Sequence, residues 1–156
     1  MANRFLKPIY HRLYGEVFSY SDFSDRLMMQ KGIYLLQEMG VPVGNYRFTW
    51  YKHGPYSQSL LDDMYIAPPE TKVRFTFDVE SAISLLSEAL KVPDDVQYPK
   101  DYWVECLGSL HYLKTYYCSS SATDDEIIEV LMAQKKHLNS SEANKIALNR
   151  IHHLFT

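Results

Sequence analysis

The amino-acid sequence predicts a mainly α-helical domain with a small β element, and three observations lead to that prediction. Apolar residues make up 46% of the chain and charged residues 22%, a balance typical of a chain that buries a core. Most apolar residues recur at helical spacing, whereas only two short segments alternate bulky and polar side chains. The chain has 156 residues without an internal repeat or a low-complexity linker, which indicates a single domain over residues 1–156.

The N-terminal lobe is expected to contain four helices and two strands. It spans about residues 1–92, with helices at about 4–18, 22–39, 54–65 and 78–90 and strands at about 46–51 and 73–77. Ser21 or Asp22 can cap the second helix, and Gly40 follows its end. Gly54 and Pro55 are expected to begin the third helix, with proline at the first helical position. This order of helix, strand, helix and strand is compatible with a degenerate winged-helix-like half.

The C-terminal lobe is expected to be a purely helical, three-helix half. It spans about residues 100–156, with helices at about 100–117, 123–136 and 140–155, and it follows a loop at 93–99. Thr123 and Glu126 have the spacing of a capping box, in which each side chain satisfies a free backbone N–H. Ser140 or Ser141 can cap the last helix.

The composition argues against several classes of protein. The formal net charge of −3 provides no general attraction for nucleic-acid backbones, and no basic stripe is evident. No apolar run reaches membrane-spanning length, and the first residues lack the continuous apolar stretch of a secretory signal. Cys106 and Cys118 fall in one predicted helix roughly 18 Å from each other, too far apart for a disulfide. We therefore expect a cytoplasmic protein with no membrane contact, in which Cys106 belongs to the core.

The sequence predicts no catalytic residue, no cofactor and no metal ligand. It contains no Gly-rich phosphate loop, no Gly-x-Ser-x-Gly elbow and no His-Glu-x-x-His pair. Among the six histidines, His152 and His153 are adjacent and point about 100° apart on a helix, so they are not an i, i+4 ligand pair. Glu105, Cys106 and His111 share a helix without sharing a face. Structural or surface roles are therefore expected for the histidines, and a hydrolase or nuclease is not indicated.

The second helix has a polar arc that is a candidate contact surface. Its apolar arc is broad enough to serve the core and consists of Met28, Met29, Gly32, Ile33, Leu35, Leu36 and Met39. The opposite arc contains Gln30, Lys31, Tyr34 and Gln37. A solvated face is one explanation for this arc, and burial under the first helix is another. The more specific hypothesis is a partner-binding face with Tyr34 as its anchor.

Two further features have both a structural and a functional interpretation. The first consists of Gly54, Pro55, Tyr56 and Ser57. This segment favours a structural turn between strand and helix, or an anion site at the free N–H groups of a helix N-terminus. The second is the pair Tyr112 and Tyr116, four residues apart on one helix, which either packs inside the domain or faces a partner.

Three segments of the chain resemble one protein family. Residues 26–36, with the sequence RLMMQKGIYLL, resemble the R-L-x-x-Q-K-x-x-Y-L-L helix of the YwgA-like proteins and of the related Panacea (SocA-like) antitoxin domain. Residues 48–60 are similar to the family's F-x-x-Y-x-x-G-P-Y-S-x-x-L segment, at matching order and distance. Residues 104–113 are similar to the helix of YwgA-like proteins that carries L-A-S-x-x-Y-L. The resemblance covers most of residues 24–155.

The resemblance implies a small helical domain with a minor sheet. For Panacea-like members it also implies an antitoxin that binds and neutralises a toxin, sometimes as an adaptor to proteolysis. The expected function is therefore a non-catalytic, protein-binding regulator whose partner is a toxin or a protease system. A winged-helix-like DNA-binding regulator is the alternative, although the short helix after Gly54 carries Asp62 and Asp63 and neither Lys nor Arg.

Overall fold

The computed structural model describes residues 3–156 and shows, within them, seven α-helices and one two-stranded sheet. The helices are α1 (Leu6–Tyr14), α2 (Phe23–Glu38), α3 (Gln58–Ile66), α4 (Phe77–Ala89), α5 (Lys100–Tyr112), α6 (Asp124–Gln134) and α7 (Ser141–Leu154). The strands are β1 (Thr49–Tyr51) and β2 (Gly54–Tyr56), which pair antiparallel with Trp50 opposite Pro55. The predicted class, mainly α-helical with a small β element, is confirmed.

Helices α2 and α5 form the centre of the fold. Residues 27–36 of α2 are buried without interruption, and so are residues 103–111 of α5. A helix that is buried around its whole circumference needs neighbours on every side. The two helices pack against each other, while α2 also contacts α1, α3, α4 and β2, and α5 also contacts α6, α7 and β2. One hydrophobic cluster runs from Leu6 in α1 to Ile151 in α7, so both halves of the chain contribute to the same core.

Four helix ends agree with the predictions from sequence. The Asp22 carboxylate caps α2 by accepting hydrogen bonds from two backbone N–H groups of its first turn. Gly40, beyond the other end of α2, has a φ of 90°, a left-handed value that favours glycine. Thr123 and Glu126 make both hydrogen bonds of the capping box at the start of α6. Ser140 caps α7 by accepting a hydrogen bond from a backbone N–H in its first turn.

The third predicted helix begins later than expected, because a hairpin precedes it. Gly54 and Pro55 belong to β2, and α3 starts at Gln58 with Ser57 as its cap. The reason is backbone geometry, since Gly54 has a φ of 90°, which a right-handed helix does not accept. The expectation that Pro55 occupies the first helical position is therefore wrong.

The second predicted strand, at residues 73–77, is also wrong. Helix α4 begins at Phe77 with Thr76 as its cap, and the residues just before it have no regular secondary structure. The bulky residues of this segment pack on neighbouring side chains instead of pairing with a strand: Phe75 contacts Phe5, with ring centroids 5.9 Å apart. Within residues 3–156 the two strands are consecutive, so the order of helix, strand, helix and strand that suggested a winged helix is not present.

Two helices end earlier than predicted. Helix α1 ends at Tyr14 rather than near residue 18, because Gly15 adopts a φ of 73° and closes the last turn. The helix expected over residues 100–117 is α-helical only to Tyr112, and the segment Leu113–Tyr117 forms a π-helical turn. Such a turn inserts an extra residue into the helical spacing and rotates the side chains that follow it.

Candidate functional site

The polar arc of α2, predicted to bind a partner, lies inside the protein. Gln30, Lys31 and Tyr34 are each only 2% exposed. The Gln30 side chain donates to the carbonyl of Ser57 at 2.9 Å and accepts from the N–H of Ser57 at 2.8 Å. The Lys31 amine donates to the carbonyl of Pro55 at 3.0 Å. The prediction of an exposed contact face at these residues is wrong, because the hairpin and the start of α3 cover Gln30 and Lys31, and α5 covers Tyr34.

Gln37, at the end of the same arc, also forms hydrogen bonds to backbone groups of another segment. Its side chain donates to the carbonyl of Tyr46 at 2.7 Å and accepts from the N–H of Tyr46 at 3.0 Å. Glutamine is well suited to this role because one side chain offers both a donor and an acceptor. Gln30 and Gln37 thus hold the two ends of the segment that contains the hairpin.

Tyr34 is an internal anchor rather than a surface one. Its hydroxyl lies 2.7 Å from Nδ1 of His111 on α5, and its ring contacts Phe48 edge to face at 5.1 Å. Burial raises the pKa of Tyr34 far above its ordinary value and lowers the pKa of His111 to about 4. Both groups are therefore neutral at physiological pH and form one buried hydrogen-bonded pair between α2 and α5.

The segment Gly54–Ser57 has a structural role in the hairpin. Gly54 and Pro55 are buried, and a Cβ on Gly54 would lie 2.3 Å from the Ser109 hydroxyl of α5. Ser57 caps α3 with its side chain, while its own N–H is donated to Gln30. The N–H of Ser57 is thus already used, which contradicts the interpretation of this residue as part of an anion site.

The two tyrosines of the C-terminal lobe have different environments. Tyr112 is half-buried and packs on Trp50 with ring centroids 5.5 Å apart. Tyr116 is exposed, and its hydroxyl hydrogen-bonds to the Glu38 carboxylate at the end of α2. The internal alternative therefore holds for Tyr112, whereas Tyr116, in the π-helical turn, lies at the surface.

Two lysine side chains donate hydrogen bonds to backbone carbonyls of the hairpin. Lys31 reaches it from α2, and Lys135, just after α6, donates to the carbonyls of Tyr51 and Lys52. Burial lowers the pKa of Lys31 to about 7 and also lowers the pKa of Lys135, while the nearby Glu105 carboxylate acts in the opposite direction on both. Glu105 is itself only 1% exposed, so these groups form one buried charged cluster.

Two histidines, His53 and His137, complete this cluster. Nε2 of His137 donates to the Glu105 carboxylate, 2.9 and 3.0 Å from its two oxygens. Nδ1 of His53, in the turn of the hairpin, lies 3.5 Å from one of the same oxygens. The three residues belong to the hairpin, α5 and the loop after α6, so no spacing in the sequence indicates that they meet. Cys106, beside Glu105 in the chain, is buried as predicted.

A surface groove adjoins this cluster. A cavity of about 220 Å³ opens between α2, the hairpin and α3. This aromatic groove is lined by Phe23, Arg26, Leu27, Gln30, Lys31, Tyr51, His53, Tyr56 and Leu61. Phe23 and Tyr51 are each 54% exposed although they are large and apolar. The Arg26 guanidinium lies over the Phe23 ring at 5.7 Å, so the rim combines aromatic and cationic character.

Comparisons with protein-family models, curated proteins and solved structures found no match. Within residues 3–156, no helix combines the length and the apolar character that crossing a membrane requires. The relation to YwgA-like and Panacea proteins stays a prediction from the three sequence segments, and one of them, residues 26–36, contains the buried centre of α2.

Proposed function

We propose that the protein is a non-catalytic, protein-binding regulator of the antitoxin or adaptor type, acting in the cytoplasm, and that its aromatic groove receives a segment of the partner. The observation that carries this proposal is the exposure of Phe23 and Tyr51 beside Arg26. Aromatic residues and arginine are enriched at protein interfaces and dominate binding hot spots. The resemblance to antitoxin domains supports the same class of function.

The groove is preorganised in the absence of a partner. Its floor includes Gln30 and Lys31, whose polar atoms are already bonded to the backbone of Ser57 and Pro55. A binding surface that is fixed in advance loses less conformational entropy on association. This rigidity supports recognition of a short segment in a defined pose.

The lining specifies the chemistry of that segment. Its accessible cationic group is the Arg26 guanidinium, it contains no carboxylate, and the remaining surface is mainly aromatic or aliphatic. The complementary ligand is an apolar side chain next to an Asp or Glu, because the ring surfaces cover the first and the guanidinium pairs with the second. We therefore propose a partner segment in which an aromatic or aliphatic residue adjoins an acidic one.

Peptide selection tests the groove without knowledge of the partner. Random peptides displayed on phage are selected against the purified protein, and the affinities of the selected peptides are measured by fluorescence anisotropy. We expect sequences that combine an apolar and an acidic residue. Phe23→Ala should weaken binding roughly 30-fold, equivalent to about 2 kcal/mol, because it removes one wall of the groove.

Phe77→Ala is the matched control for that experiment. Phe77 is 85% exposed on α4 and does not line the groove, so its removal should leave affinity unchanged. Equal effects of the two substitutions, or the absence of any selected peptide, would contradict the proposed site. Co-expression with the product of the adjacent gene then tests the antitoxin role, since growth rescue should depend on Phe23 and not on Phe77.

DNA binding is the outcome that would replace this proposal. Helix α3 carries Asp62 and Asp63 and neither Lys nor Arg, which removes phosphate attraction from the helix that follows the hairpin in the chain. We expect only weak, sequence-independent binding to a duplex at physiological salt. Sub-micromolar, sequence-dependent binding in an anisotropy titration would establish the DNA-binding regulator instead.

A further inference from the structure

Three potential metal ligands meet beneath the turn of the hairpin. His53 lies in that turn, Glu105 in α5 and His137 in the loop between α6 and α7. One ligand atom from each residue lies within 4.8 Å of the other two. Three separate elements therefore place two imidazole nitrogens and one carboxylate oxygen around a common point.

The hydrogen bonds of the cluster leave one histidine without a partner. His137 donates to the Glu105 carboxylate, whereas Nδ1 of His53 is buried and has no hydrogen-bond partner among the described residues. A buried polar atom without a partner is costly, and a bound water or ion is one way in which a folded protein satisfies it. An ion pair of Glu105 with His137 alone does not account for the position of His53.

The donor set and its spacing fit a zinc-type ion. Two histidines and one carboxylate are ligands that Zn²⁺ takes in sites with one open position. Tetrahedral coordination at about 2.0–2.2 Å places ligand atoms roughly 3.4 Å apart. The distances of 2.9 Å from His137 and 3.5 Å from His53 to the shared Glu105 oxygen are close to that value. We infer that His53, Glu105 and His137 form a binding site for one zinc-type divalent ion, with water in the fourth position.

The surroundings hold the histidine rings in place. Phe23 packs edge to face on His53 with centroids 5.3 Å apart, and Tyr102 packs in the same way on His137 at 5.0 Å. Rings that are fixed by their neighbours present their nitrogens in a defined direction. To bind the ion through Nε2, His137 carries its proton on Nδ1, so the ion replaces the hydrogen bond between Nε2 and the Glu105 carboxylate.

The nearby lysines are compatible with this charge. Lys31 and Lys135 both interact with Glu105, and their positive charges oppose a cation at the site. The Lys31 amine is directed to the carbonyl of Pro55, 3.0 Å away. The Lys135 amine is directed to the hairpin carbonyls of Tyr51 and Lys52.

This inference does not rest on the proposed function, since it is tested on the isolated chain. Metal-free protein is titrated with zinc chloride in competition with a chromophoric chelator. We expect one ion per chain with a Kd below about 1 µM. His53→Ala and His137→Ala should each weaken binding by roughly 100-fold or more, because each removes one of three ligands.

His152→Ala is the matched control. Nε2 of His152 lies 2.9 Å from the Asp124 carboxylate, so this pair repeats the histidine–carboxylate contact, and residues 3–156 supply no third ligand to it. Its removal should leave zinc affinity unchanged. Cobalt-substituted protein should in addition show the visible absorption of a tetrahedral centre, and that absorption should be lost in Glu105→Gln.

Circular dichroism separates loss of the site from loss of the fold. The His53 side chain is 41% exposed, so His53→Ala is expected to fold and decides the test even where substitution of the buried Glu105 does not. Absence of saturable zinc binding up to 100 µM, or equal affinities of His53→Ala and His152→Ala, would overturn the inference. The cluster would then be a histidine–carboxylate ion pair only.

Discussion

Replacing Gly54 by alanine tests how closely the hairpin approaches α5. Gly54 has a φ of 90°, and an alanine Cβ at this position would lie 2.3 Å from the Ser109 hydroxyl. The left-handed backbone costs about 1–2 kcal/mol for a residue with a Cβ, and the overlap adds about 1–3 kcal/mol. Gly15 separates the two costs, because it has a φ of 73° with nothing within 4 Å of its Cβ position. We expect Gly15→Ala to lower the free energy of unfolding by about 1–2 kcal/mol and Gly54→Ala by about 2–5 kcal/mol.

Urea denaturation followed by circular dichroism measures these free energies of unfolding. A double-mutant cycle between Gly54 and Ser109 tests whether the extra loss comes from overlap with the Ser109 hydroxyl. The Ser109 hydroxyl is buried and has no hydrogen-bond partner among the described residues, so Ser109→Ala alone should be close to neutral. Combined with Gly54→Ala, it should recover about 1–3 kcal/mol, because it removes the overlapping atom. Additive effects in the cycle, or equal losses for the Gly15 and Gly54 variants, would refute the argument from close approach.

Two further predictions concern α2 and are measured in the same denaturation experiment. Tyr34→Ala should lower the free energy of unfolding by about 3–5 kcal/mol, because it removes a buried aromatic side chain; a loss below about 1 kcal/mol would mean that Tyr34 is not part of the core. For Lys31, the folded-state pKa of about 7 lies below the ordinary value of 10.5, so the unfolded chain binds more protons between these values and stability rises with pH across that window. The stability of Lys31→Met relative to the natural chain should therefore fall by about 4 kcal/mol between pH 6 and pH 10, and a difference independent of pH would contradict a buried, titrating amine.

Local features of the fold were predictable because their causes lie within a few residues. Asp22, Thr123 and Ser140 mark helix starts, since a side-chain oxygen at that position satisfies the free N–H groups of the first turn. Gly40 marks a helix end because its left-handed backbone excludes most other residues. The helical class of the protein follows from such local signals together with apolar periodicity.

The hairpin and the polar arc were mispredicted because local signals there have more than one solution. A proline after a glycine suits the start of a helix, and it also suits a short strand whose partner needs no N–H at that point. Periodicity places Gln30, Lys31 and Tyr34 on one side of α2, but it does not state what covers that side. The hairpin and α5 cover it, so polar residues that resembled a contact surface became buried supports.

The sequence by itself determined the helical class, the caps and the burial of Cys106, because these depend on neighbours in the chain. Tertiary structure alone decided the candidate sites. His137 and Glu105 are 32 residues apart, and the hairpin that brings His53 to them is held there by lysines from two other elements. The aromatic groove likewise combines α2, the hairpin and α3. A site of this kind depends on distances between elements, and those distances are set by the packing of the whole core rather than by any segment of the sequence.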